Sequence, residues 1–102
     1  MTLERLELAS NSAVLGERGW SVKVPDIHRV VYRDLDRSLT LEIEGAGSSA
    51  VNVDWNIYIP TVPRWDRPFE LEIISHETWP LVKDRISRSL QLPKMKHAFI
   101  NT

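Results

Sequence analysis

Apolar and polar residues alternate over much of the first 59 positions, the period of strands with one face in a core and the other in water. Leu3, Leu6 and Leu8, then Ala13 to Leu15, lead through Gly16-Glu17-Arg18-Gly19 as a turn into Trp20-Ser21-Val22-Lys23-Val24. Trp20, Val22 and Val24 share one face there and Pro25-Asp26 closes the run, so a hairpin is expected. His28 to Arg33 is rich in β-branched and aromatic residues. The polar break Asp34-Leu35-Asp36-Arg37 separates it from Leu39-Thr40-Leu41-Glu42-Ile43-Glu44, which predicts a second hairpin. Gly45-Ala46-Gly47-Ser48-Ser49 then forms a connection. Beyond it, Val51, Val53, Trp55, Ile57 and Ile59 oppose Asn52, Asp54, Asn56 and Tyr58.

Pro60, Pro63 and Pro68 remove backbone donors and end this alternation, leaving an ordered but irregular crossover that contains Trp65. Phe69 to Ile74 reads either as a short strand or as an extended lead into a helix capped by Ser75 or Thr78. Trp79, Val82, Ile86 and Leu90 recur at intervals of three and four and predict that helix, with Lys83, Asp84, Arg85 and Arg88 outside the stripe and Arg85 and Arg88 largely hydrated. Pro80 suits its first turn if Thr78 is the cap. Pro93 ends it, and Lys96 to Ile100 offers a last strand. The pattern predicts a single α+β domain over residues 1–102: an antiparallel β-sheet of hairpins with one C-terminal amphipathic helix packed on one face.

Composition narrows the chemistry. A hydrophobic share of 42% and a charged share of 26% are those of an ordinary globule. With no cysteine there is no disulfide, thiol nucleophile or cysteine metal site. His28, His76 and His97 lack paired ligand spacing, and His76-Glu77 reads as a hydrated pair at a helix start, so no metal or other cofactor is expected. Glu42, Glu44 and Asp54 would share a sheet face, but outward carboxylates are what solubility asks of such a face, and Ser48-Ser49 lacks a nucleophile elbow or phosphate loop. The expectation is therefore no enzyme. A net charge of −1 lends no support to direct nucleic-acid or membrane binding. That balance conceals an acidic stretch from Asp34 to Glu77 and a basic one after it, an asymmetry able to steer a partner. Charges interrupt Met1 to Glu7, and no run reaches membrane-spanning length, so a cytoplasmic protein is expected.

Trp20, Trp55 and Trp79 fall in phase with the apolar stripes, whereas Trp65 stands among prolines and charges, where it either caps the core or anchors a partner. Val31-Tyr32-Arg33-Asp34 precedes an acidic alternating strand. Asn56-Ile57-Tyr58-Ile59, Trp65-Asp66-Arg67-Pro68 and Ile74-Ser75-His76-Glu77 follow, the last opening a helix through Leu90. This order of features resembles the small bacterial immunity proteins of polymorphic toxin systems, over the later two-thirds of the chain. The resemblance implies a domain that binds a cognate toxin domain and inhibits it stoichiometrically, with no chemistry of its own. The competing readings are a small adaptor, a ligand-binding domain or, less readily, a small enzyme using Trp65, Asp66 and His76 beside the crossover. Alternation places the partner surface on Glu42, Glu44, Asp54 and Tyr58, with Trp65 and Asp66 at its edge.

Overall fold

In a computed structural model the described residues are 6–10, 13–45 and 54–101, with only the backbone described at Ala9 and Ser10. Leu3, the connection beyond Gly45, and Val51 and Val53 lie outside them. The elements run β1 (Leu6–Ser10), β2 (Ala13–Gly16), β3 (Trp20–Asp26), β4 (Arg29–Asp34), β5 (Arg37–Gly45), β6 (Trp55–Ile59), α1 (Trp79–Gln91) and β7 (His97–Asn101). They form one seven-stranded sheet whose spatial order is the order in sequence.

The broad α+β expectation holds, with one correction. The sheet is only mostly antiparallel, because β7 pairs with β6 in parallel, from Trp55 opposite His97 to Ile59 opposite Asn101. A parallel neighbour needs a crossover rather than a tight turn, and the crossover plus α1 supply it. The last strand expected over Lys96 to Ile100 is β7, beginning and ending one residue later.

Strand parity sets the core. Trp20 and Val22 of β3, Val30 and Tyr32 of β4, Leu39, Leu41 and Ile43 of β5, and Ile57 of β6 are buried together with Ile74 and with Val82, Ile86 and Leu90 of α1. Burying each large apolar side chain of this set is worth about 1.5–3 kcal/mol against exposure. Trp55, Trp65 and Trp79 pack partly buried against the same cluster. Gly16 is required by its neighbour, since a Cβ there would overlap the Trp20 ring. Gly19 turns the chain between β2 and β3 at φ +89°.

At the helix start Thr78 is the boundary residue, but its side chain makes no capping bond; Ser75 Oγ accepts from the Thr78 amide instead. Phe69 to Ile74 is not a strand: it is turns, tied by an isolated bridge between Arg64 and Ile73. The expectation that Arg85 and Arg88 stay hydrated is overturned. Arg88 is half-buried and pairs with Asp84, and Arg85 is buried. Arg85 lies three residues beyond Val82 and one before Ile86, on the inner side of the helix, and its guanidinium is received there by polar partners on β4.

Candidate functional site

Because Leu39, Leu41 and Ile43 point into the core, Thr40, Glu42 and Glu44 must point the other way. Register then aligns Arg29, Glu42, Tyr58 and Ile100 across β4, β5, β6 and β7 on that outer face. Glu42 and Glu44 are exposed. The Tyr58 hydroxyl donates to Glu44 Oε2 at 2.8 Å, and this bond to a carboxylate raises the phenol's pKa. A depression of about 660 Å³ lies among His28, Arg29, Thr40, Glu42, Ile43, Glu44 and Tyr58. Asp54 is exposed just ahead of β6, where its amide donates to the Lys96 carbonyl at 2.9 Å.

Across its central strands this face carries its carboxylates along β5. Lys23 and Arg33 share it by parity, and Arg29 stands directly opposite Glu42. Arg29 is itself held at the β3–β4 turn, donating to Asp26 Oδ2 through Nε and Nη2 at 3.1 and 2.8 Å, which keeps the Asp26 carboxyl below its usual range. A stripe of carboxylates beside a stripe of cations gives the face a direction as well as a charge.

Trp65 and Asp66 are engaged within the chain. Beyond Glu42, toward the start of β5, β6 no longer runs alongside, and Asp66 takes its place. The Asp66 amide donates to Ser38 O at 2.8 Å, and its carboxylate accepts from the Thr40 amide at 3.2 Å and the Thr40 hydroxyl at 2.7 Å. Trp65 turns to the opposite, inner side and stacks on Tyr32, with ring centroids 6.3 Å apart. The six residues expected to form one surface thus divide into an outer group of Glu42, Glu44 and Tyr58, an exposed Asp54 at its end, and a pair that closes the β5 edge.

Three further groupings lie apart from these six residues, one of them beside the proline crossover where the sequence places His76 as a lining residue. Arg85 Nη1 donates to the Tyr32 hydroxyl at 2.7 Å and to Asp34 Oδ2 at 3.2 Å, with its guanidinium 5.0 Å from the Trp20 ring. Burial pushes the Tyr32 phenol up to about 12, with Arg85 pulling the other way. At the carboxyl ends of β6 and β7 a largely apolar cavity of about 520 Å³ is lined by Ile59, Val62, Ile73, His76, Trp79 and Asn101 among others. At the start of β7 a second recess of about 470 Å³ is lined by Ser87, Gln91, Lys94, Met95, Lys96 and His97. The His97 ring is held there between Ser87 Oγ and the Met95 carbonyl, both at 2.9 Å. Among the described residues no three histidine or acidic groups come together as a metal site. No protein-family model, curated protein or solved structure matches this chain.

Proposed function

We propose that this domain is a non-catalytic, protein-binding inhibitor: a cytoplasmic immunity protein that occupies a cognate toxin domain one to one. The observation that carries the reading is the outer sheet face, where Glu42, Glu44 and Tyr58 stand on neighbouring strands with Tyr58 bonded to Glu44. Exposed carboxylates on rigid strands speed encounter with a basic partner and cost little ordering on contact. In this reading α1 is the amphipathic layer that backs the sheet and leaves the outer face to the partner. Asp54 extends the acidic contact, while Trp65 and Asp66 hold the β5 edge in position for it.

The test is surface plasmon resonance against the purified protein encoded by the adjacent gene. Reversing Glu42, Glu44 and Asp54 to Lys should slow association by about tenfold or more and flatten its salt dependence in a protein that remains folded. Unchanged kinetics in the folded triple variant would remove this face from the interaction. The alternative of a small ligand-binding domain is favoured by one feature, the apolar cavity beside His76 and Trp79, whose volume falls within the range of small-molecule sites. A small molecule retained in native mass spectrometry and lost on Trp79→Ala would support it.

A further inference from the structure

The sheet ends in two edges that differ in how they are guarded. On β1 the pairing register slips between Leu8 and Ser10, and Glu7 lies within the strand. Bulges and charges of this kind discourage pairing with another chain. On β7 the five residues His97-Ala98-Phe99-Ile100-Asn101 hold an unbroken register to β6 and contain no proline, lysine or acid. Among the described residues nothing pairs with the far side of β7.

The two ends of this edge differ chemically. His97 lines the recess with Lys94 and Lys96, and Asn101 lines the apolar cavity with Ile59, Val62, Ile73 and Trp79. Both lysines are exposed, and Lys83 sits over the Phe99 ring at 5.0 Å, so cations gather along the helix side of the strand. Lys94 also occupies a backbone position that suits glycine. The Met95 amide donates to Leu90 O and the Lys94 amide to Gln91 O, the paired bonds of a Schellman motif, with Lys94 in the left-handed region at φ 60°. A lysine there gives up stability that glycine would supply, in a place where its charge lines the recess.

We propose that β7 takes an extended segment of a partner protein as an eighth strand, with an acidic side chain directed to Lys94 and Lys96 and a large apolar side chain directed to the Ile59–Trp79 cavity. His97 and Asn101 are four residues apart on one face, about 13 Å at strand rise. The incoming segment therefore carries its acidic and apolar residues four apart, since same-face positions recur every second residue. Main-chain pairing supplies the docking and the two recesses supply the selection. This contact is on the sheet edge and stands whether or not the outer face binds a toxin.

Two synthetic peptides of one composition test it, one with Glu and Phe four apart among Val and Thr, the other with them three apart. With isotopically labelled protein, the first should shift the amide resonances of residues 97–101 and saturate with a Kd below about 1 mM. N-methylation of its backbone, or Lys94→Glu with Lys96→Glu in the folded protein, should weaken it by about tenfold or more. Equal binding of the three-apart or N-methylated peptide would overturn the proposal, as would unmoved β7 resonances at millimolar peptide. β7 resonances that move with the protein's own concentration, together with a dimer in sedimentation, would assign the edge to a second copy and equally overturn it.

Discussion

Arg85 shows how a single residue ties the two layers together. It sits on the buried side of α1 at 6% exposure, and its charge is met by Tyr32 and Asp34 on β4. Truncation to Ala should cost about 3 kcal/mol in denaturant unfolding, the lower end of the range for breaking a buried pair, because Asp34 still reaches water. Arg85→Met, which keeps the volume and discards the charge, should cost much less, and equal losses would show that the charged contacts to Tyr32 and Asp34, not the filled volume, hold the site. Tyr32 adds a pH signature. Its phenol is raised by burial to about 12, whereas in the unfolded chain it titrates near 10. Its contribution is therefore whole below pH ~10 and is lost as pH climbs toward ~12, an effect of roughly 2–3 kcal/mol. Unfolding free energies measured across that window should fall in the native protein and fall less in Tyr32→Phe.

Periodicity was a good guide to the elements, and its failures have physical causes. Leu39, Leu41 and Ile43 are buried as alternation requires, and Val82, Ile86 and Leu90 are buried at helical spacing. Arg85 defies its residue type because position decides: 82, 85, 86 and 89 share one helical side, and a partner from β4, far away in sequence, makes an arginine acceptable there. The bonds that tie Asp66 to β5 were hidden for a related reason. Its partners Ser38 and Thr40 become neighbours only once the crossover folds back over the β5 edge. The outer group of Glu42, Glu44 and Tyr58 was legible because it follows from parity alone, whereas Lys23, Arg29 and Arg33 on the same face required the strand order. For α1, Ile86→Ala should destabilise by ~2–5 kcal/mol, while Asp84→Ala, at an exposed i,i+4 pair, should stay within about 0.5 kcal/mol. Similar small losses at both positions would mean that the helix does not close the core.

At the scale of the whole molecule, the sheet presents an outer face that carries opposite charges on adjacent strands and an inner face that meets the helix. In the proposed inhibitor such a scaffold would place recognition on strands rather than on loops, which suits a preformed domain that binds with little rearrangement. The charge division between the acidic middle of the sequence and its basic tail becomes, in three dimensions, a carboxylate stripe on β5 and a lysine-lined recess at the start of β7. Titrating this protein against a fixed amount of the adjacent gene's toxin domain, well above their Kd, tests the inhibitor reading most directly. Toxin activity should fall linearly and vanish near one molar equivalent, with a one-to-one complex in sedimentation. Complete inhibition at a small fraction of an equivalent, or undiminished activity in excess, would contradict it.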